Sequence, residues 1–289
     1  MPEFEFAAVG DNCVDRFLPP ADECLVGGNA LNVAVQLAML GRKVHYFGAV
    51  GDDAAGRAVT EALAEQGVLA TGLRTLQGFR TAYTDIEMTE DGDRSFVFEE
   101  FGACAAYRAA PEDISLLKGM RHIHIGWLGD GGALRRALRG QGPTLSQDLS
   151  VNNTPENLSA EGLDVAFCSA DPDHAESEAR RLLEQGARLA VVTMGAAGSF
   201  LSDGRRKLTA SAAPVTPEDT TGAGDAFIAG FIDAQASGAD LEHCMAHGAA
   251  RAAAACLHRG GFPQRPLKAL AQKFDPQGED PLGDRPDLM

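Results

Sequence analysis

The chain has 289 residues, 45% of them hydrophobic and 23% charged, with a formal net charge of −16. These proportions exclude a disordered or collagen-like chain, and the length allows a core that needs no metal or disulfide support. The acid excess argues against broad contact with nucleic acid or an anionic membrane, but an anionic small ligand held by main-chain amides stays open. Six cysteines, at positions 13, 24, 104, 168, 244 and 256, form no C-x-x-C pair and fit no zinc spacing. The N-terminus has no signal-peptide pattern, and no apolar run approaches the roughly 18 residues of a membrane span. Free, buried thiols in a reduced, cytoplasmic protein are expected.

Residues 4–10 read as a strand that ends in a polar loop, Asp11-Asn12-Cys13-Val14-Asp15. Residues 29–41 are rich in Ala, Leu and Val at helical spacing and stop at Gly41. Lys43–Gly51 is strand-like, and 52–67 is helical with an acidic start and a glycine stop. Residues 81–89 and 94–101 flank Glu90-Asp91-Gly92-Asp93, the signal of an antiparallel hairpin whose alternation suggests one wet face. Strands over 122–128, 144–149, 163–169 and Leu189–Thr193 then alternate with helices over 176–186, 223–237 and 241–258. This order predicts an α/β fold with a mainly parallel sheet and helices on both faces. The main unit is expected to span 1–262, with a small β-sheet lid from about 16–26 and 78–104. A Pro-rich, charged tail over 263–289 is expected to hold one short helix near 267–274 and little else.

The stretch Asp219-Thr220-Thr221-Gly222-Ala223-Gly224-Asp225-Ala226-Phe227 carries the most chemistry. Small residues give a turn with exposed amides directly before an apolar helix. Without a Cβ, Gly222 and Gly224 let a ligand reach the main chain. The amides of Gly222, Ala223, Gly224 and Asp225 would face an anion at the positive end of the helix. A carboxylate inside an anion site needs a reason, and acting as base toward a hydroxyl nucleophile is one. A glycine-rich helix entry with a capping Asp is the plainer reading of the same spacing. Gly27-Gly28-Asn29-Ala30-Leu31-Asn32 repeats the arrangement more weakly, with Asn32 pointing its amide off the first turn; a simple loop-to-helix junction would read alike.

Together the two stretches resemble the ribokinase-like (PfkB) carbohydrate kinases. Residues 27–67, with Val50-Gly51-Asp52-Asp53 and Gly56 inside, are similar to the family's N-terminal signature, and 219–230 to its C-terminal one. The resemblance covers most of 4–261. It implies a ribokinase-like core with a β lid over the sugar, and transfer of the ATP γ-phosphate to a sugar hydroxyl. Asp225 would be the base, and Gly222, Ala223 and Gly224 would supply the anion hole. The sugar site would be built from Asp11, Asp15, Gly27, Gly28 and Asn32. Thr193, Gly195 and Gly198, within Val192-Thr193-Met194-Gly195-Ala196-Ala197-Gly198, would hold the nucleotide. Asp219 would help support a monovalent cation such as K+. No G-x-x-x-x-G-K-[ST] loop exists, and Mg2+ would enter with ATP rather than in a protein cage. The family's Asn-x-x-Glu motif is replaced by Ser169-Ala170-Asp171-Pro172-Asp173, where Asp171 or Asp173 would have to stand in.

Within the family, Gly10-Asp11-Asn12-Cys13-Val14-Asp15, residues 27–32 with Val33-Ala34-Val35, and Ser169-Ala170 look most like the fructoselysine 6-kinase branch, which phosphorylates O6 of a fructosamine. The segment 85–100 holds Asp85, Glu87, Glu90, Asp91, Asp93, Glu99 and Glu100 against Arg94 alone, a charge that would attract a cationic aminoacyl arm. A charged edge hairpin that resists aggregation would look the same. A free ketohexose or pentose is the alternative substrate, and a non-catalytic sugar-binding protein the alternative class. Lids in this family often pair between subunits, which implies a homodimer. His243 and His247, four apart, read as structural, and so do His122 and His124 and Trp127. Cys13 falls in the sugar loop, where Arg16 is its only basic neighbour, so a reactive thiolate is not expected.

Overall fold

The computed structural model describes residues 5–88, 94–151 and 157–271. In chain order the elements are β1 (Glu5–Val9), β2 (Cys13–Phe17), β3 (Glu23–Gly27), α1 (Asn29–Met39), β4 (Lys43–Gly51), α2 (Ala54–Glu65), β5 (Leu69–Leu76), β6 (Tyr83–Met88), β7 (Arg94–Glu100), α3 (Gly102–Ala106), α4 (Pro111–Leu117), β8 (His122–Ile125), α5 (Ala133–Leu138), β9 (Thr144–Asp148), β10 (Val165–Ser169), α6 (Ala175–Glu184), β11 (Leu189–Thr193), β12 (Ser199–Ser202), β13 (Lys207–Ala210), α7 (Ala223–Ala236), α8 (Leu241–Ala255) and α9 (Lys268–Ala271).

Nine strands form the main sheet in the order β13-β12-β11-β10-β9-β8-β1-β4-β5. Pairing is parallel from β5 to β11, and antiparallel where β12 and β13 extend the edge. The central strands are apolar on both faces because helices cover both. In β1, Phe6 and Ala8 join the cluster beneath α1, α7 and α8, while Ala7 and Val9 join the cluster on the opposite face. The C-terminal ends of the parallel strands therefore share one edge, where α/β sheets place their ligands.

The lid is a second sheet, ordered β3-β2-β6-β7. The β6–β7 pair is the expected hairpin, although its turn at 90–93 lies outside the described residues. Its other half begins earlier than the sequence suggested: Cys13–Phe17, read in part as loop, is a strand paired in parallel with β6. Chain beyond Phe262 also begins as part of the fold. Phe262 is fully buried, the Gln264 side-chain amide bonds both the N–H and the C=O of Val26, and the Leu267 N–H donates to the Cys24 carbonyl. These bonds satisfy the open edge of β3. The short helix expected near 267–274 is present as α9, and the remainder of the tail lies outside the described residues. Among the described residues no helix is long and apolar enough to cross a membrane. All six cysteines are free thiols, five of them buried.

Candidate active site

Four helix N-termini are completed in different ways. Asp53 caps α2 through the Gly56 N–H, and Asp240 caps α8 through the His243 N–H. Helix α1 starts at Gly28 (φ 109°), which has no side chain to offer, so Asp11 reaches in from the turn after β1. The Asp11 carboxylate accepts from the N–H groups of Asn29 (2.6 Å), Ala30 (3.1 Å) and Trp127 (2.9 Å). Helix α7 starts at Gly222, in the left-handed region (φ 73°), and receives no side-chain cap. Only glycine fits there, since a Cβ would stand 2.4 Å from the Gly261 Cα.

The uncapped start of α7 leaves amides open, but fewer than the sequence suggested. The Ala223 N–H closes a turn onto the Thr220 carbonyl (3.2 Å), which withdraws it from an anion hole. Among the described residues, the amides of Gly222, Gly224 and Asp225 take no partner. Gly224 is exposed, with nothing within 4 Å of where its Cβ would stand.

Beside these amides lies a cavity of about 230 Å³. The lid contributes Asp15, Thr84, Glu99 and Glu100, the α1 entry Gly28, Asn29 and Asn32, and the α7 entry Gly222 and Asp225. Asp11 and Trp127 also reach it, and Trp127 stacks on Phe101 with ring centroids 4.0 Å apart. Trp127 thus packs and lines the cavity at once. The described lining holds five carboxylates and no basic residue.

Asp225 is half-buried and held at both oxygens: Oδ1 accepts from Asn29 Nδ2 (2.6 Å) and Oδ2 from Asn32 Nδ2 (2.7 Å). Burial pushes its carboxyl up to about 8; the nearby Asp148 and Asp11 charges add to the rise, and the two amide donors oppose it. Asp148, at the end of β9, accepts from Asn29 Nδ2 (3.0 Å) and the Ser150 N–H (2.9 Å) and is raised to about 6, burial again leading.

Other expected residues stand further off. Gly27 does not line the cavity; a Cβ there would meet Asp15 Oδ2 at 2.6 Å, so its smallness makes room for that carboxylate. Cys13 lines the cavity and donates its thiol to Asp15 (3.2 Å), with burial and the Asp15 charge pushing its pKa up. Thr193 ends β11 and Gly195 and Gly198 follow it, outside the cavity but on the same sheet edge. The Thr193 hydroxyl meets that of Ser169 at 2.8 Å, and Gly198 shapes the turn into β12. Asp219 is buried, and its oxygens accept from Thr221 (2.6 Å) and Gly260 (2.9 Å) N–H groups. Asp171 and Asp173 are exposed beyond β10. Asp85 does not belong to an unpaired acidic surface, because Arg16 binds it through two nitrogens, at 2.5 and 2.7 Å. His247 bonds the Gly230 carbonyl, and no cluster of metal-ligating side chains exists among the described residues.

The site thus sets an uncapped helix start beside a half-buried carboxylate, under a β lid at the sheet edge. The model for pfkB family carbohydrate kinases matches residues 14–131 and 156–266. The chain belongs to this family. It is a phosphotransferase that acts on a sugar hydroxyl. It is 35% identical over 264 residues to a fructoselysine 6-kinase of Shigella flexneri, covering 89% of this chain and 98% of that one. It is 33% identical over 270 residues to a fructosamine kinase of Bacillus subtilis, covering 88% and 92%. A solved Arabidopsis thaliana ribokinase, complexed with ribose and ATP, superposes with a TM-score of 0.81 at 22% identity over 95% of this chain and 99% of that one. In this pfkB-family chain the glycine motifs marked the two helix entries. Asp148 carried no sequence signal; Asn29 stood in the 27–32 stretch and Glu99 and Glu100 in the acidic 85–100 segment, but their places in the site depend on partners more than 100 residues away or across the lid.

Proposed function

We propose that this kinase transfers the γ-phosphoryl group of ATP to a hydroxyl of a fructosamine, O6 of fructoselysine in the simplest case, with Asp225 as the base. ATP with Mg2+ supplies the phosphoryl group: the γ-phosphorus bonds to the sugar oxygen, its bond to the β–γ bridging oxygen breaks, and ADP leaves. Asp225 takes the hydroxyl proton as that bond forms. A carboxyl raised by burial is a stronger base than one in water, and Asn29 and Asn32 fix both its oxygens. The open amides of Gly222 and Gly224 suit the negative charge of the phosphoryl oxygens, and the open space beside Gly224 suits close approach. Thr193 and Gly195 are suited to the rest of the nucleotide. Mg2+ would arrive with ATP as a partner of its phosphates. The Asp219 carboxylate accepts main-chain bonds from Thr221 and Gly260 that hold its loop, which would support a potassium ion bound there.

The observation that carries the substrate reading is the cavity wall: Asp11, Asp15, Glu99, Glu100 and Asp225, with no basic residue among the described lining. Such a wall favours a sugar that carries an ammonium arm over a neutral one. The names of the two relatives support the same class. A panel of fructoselysine, fructose and ribose, assayed by ADP release with and without potassium, tests it. Fructoselysine should show the highest kcat/KM; a free ketohexose or pentose ranking first removes the fructosamine assignment and leaves the kinase. A homodimer through the lid has the exposed Val97 and Phe98 of β7 available to it, whereas the β3 edge is partly covered by Gln264 and Leu267. A monomer mass in sedimentation at all concentrations would exclude it.

A further inference from the structure

His122 and His124 lie two apart on β8, both buried, and face Thr144 and Ser146 of the parallel neighbour β9. Every ring nitrogen has a polar partner. His122 Nδ1 meets Thr144 Oγ1 at 2.7 Å and Nε2 meets Ser146 Oγ at 2.8 Å. His124 Nδ1 meets the same Ser146 oxygen at 2.9 Å, and Nε2 meets Asn29 Oδ1 at 3.3 Å. The Asn29 amide nitrogen then donates to both Asp148 and Asp225.

The carboxylate end fixes the direction of every bond in this row. Ionised Asp148, and Asp225 in the form that acts as base, can only accept, so Asn29 turns its nitrogen toward them and its oxygen toward His124. His124 must therefore carry its proton on Nε2. Burial keeps both imidazoles neutral, holding each at about 3. His124 Nδ1 is then bare and accepts the Ser146 hydroxyl proton. With that proton committed, the Ser146 oxygen accepts from His122 Nε2–H, and His122 Nδ1 is left to accept the Thr144 hydroxyl proton at 2.7 Å, for which the Arg121 carbonyl at 3.3 Å is the longer competitor. In the other tautomer His124 would draw the Asn29 nitrogen to itself and swing the amide oxygen against two carboxylates.

We infer that the one-way row Thr144→His122→Ser146→His124→Asn29 locks the Asn29 amide toward Asp225, making His124 a positioning residue for phosphoryl transfer. The inference rests on reading Asp225 as the base. The charged groups facing Asp225 are Asp148 from β9 and Asp11 from the turn after β1; α1 faces it with the amides of Asn29 and Asn32.

The test compares His124→Leu, which removes the donor, with His124→Gln, whose amide can place an N–H where Nε2 stands. Ser146→Ala frees the tautomer while sparing the ring. Leu should lower kcat roughly 100-fold, the scale of a misplaced reacting group, with sugar KM changed by less than about threefold. With less donation to the charged form of Asp225, the acid limb of kcat/KM should move up by about one pH unit. Gln should recover most of kcat, Ser146→Ala should fall between, and 15N NMR should find His124 protonated at Nε2 alone. In an Asp225→Asn background the Leu change should cost little more, because both act on one step. A His124 protonated at Nδ1, or a Leu variant that loses thermal stability while keeping its kcat and acid limb, overturns the inference. Near-normal turnover in Asp225→Asn itself instead removes the base assignment on which it rests.

Discussion

If Asp225 must be ionised to accept the sugar proton, activity should be set by pH in a range where an ordinary carboxylate is already fully charged. Its carboxyl titrates at about 8, so only about 1% is ionised at pH 6 and about 10% at pH 7. With both substrates well below KM, kcat/KM reports the free enzyme and should climb about tenfold per pH unit before levelling above 8. Asp148→Asn removes a neighbouring charge that raises Asp225, and should move the limb to lower pH. Asp225→Asn should leave turnover at a low, pH-independent floor. That variant should fold, because the buried Asn32 Oδ1 has no partner and can turn over to accept from the new amide. Stability gives a second readout. The folded pKa of Asp225 lies above its unfolded value of 3.8, so between about 4 and 8 the folded state holds a proton that the unfolded state has lost. Stability contributed at this residue is therefore fully present below that window and falls as pH rises through it. Asp225→Asn lacks the slope, so its Tm should gain on the unsubstituted protein from pH 5 to pH 8. An acid limb near 4, or one that persists in Asp225→Asn, refutes the reasoning.

The glycines and the lid give further outcomes. Gly224→Ala meets nothing within 4 Å and should leave Tm within about a degree, yet lower kcat by about tenfold or more if phosphoryl oxygens approach that amide; unchanged kcat would remove Gly224 from the cradle. Gly222→Ala forces a side chain into the left-handed region against Gly261 and should lower both Tm and kcat, measured by calorimetry and ADP release. Gly27→Ala drives a Cβ into Asp15 and should raise the sugar KM with the ATP KM unaltered. Glu99→Gln with Glu100→Gln should cut kcat/KM for fructoselysine by about tenfold, leave that for fructose nearly unchanged, and weaken the salt dependence of the former.

What the sequence made legible follows the range of the interactions involved. Lys43–Gly51 and Leu189–Thr193 form strands at the bounds their apolar runs indicate, since burial on both faces writes itself into consecutive residues. The edge strand Leu69–Leu76 has no such run: only Gly72 in it is buried, and it packs where Phe47 leaves no room for a side chain. Ser199–Ser202 and Lys207–Ala210 are four residues each, too short for a period to show. In β2, Asp15 faces the cavity inside a five-residue strand whose parallel partner lies some 70 residues on, so local pattern favoured a loop. The site divides in the same way. Gly28 and Gly222 were legible because a positive φ before a helix selects glycine locally. Asn29 was printed in the motif, but its role depends on Asp148 and Asp225, 119 and 196 residues away. The two histidines on β8 read as packing until the facing hydroxyls of β9 gave each nitrogen a partner.

Three neighbouring carboxyls show how the fold assigns different work to the same chemical group. Asp11 accepts from three main-chain N–H groups, and the strength of those bonds is what holds together the entry to α1 and the end of β8. Asp148 has one main-chain donor and a share of the Asn29 amide, and titrates at about 6. Among the described residues Asp225 has no main-chain donor; its two bonds come from side-chain amides, one of them shared with Asp148, and it titrates at about 8. The carboxyl with the weakest support for its charge is thus the one set at the open start of α7, next to the unpartnered amides. A charge that is poorly stabilised at rest gains most when a proton moves onto it, and this separation of neighbouring carboxyls is what distinguishes a proton acceptor from the scaffold around it. Strengthening the support for Asp225, for example with a new donor at Val151 on the cavity wall, should therefore make it more fully ionised at neutral pH but a weaker base, trading a lower acid limb for a lower plateau.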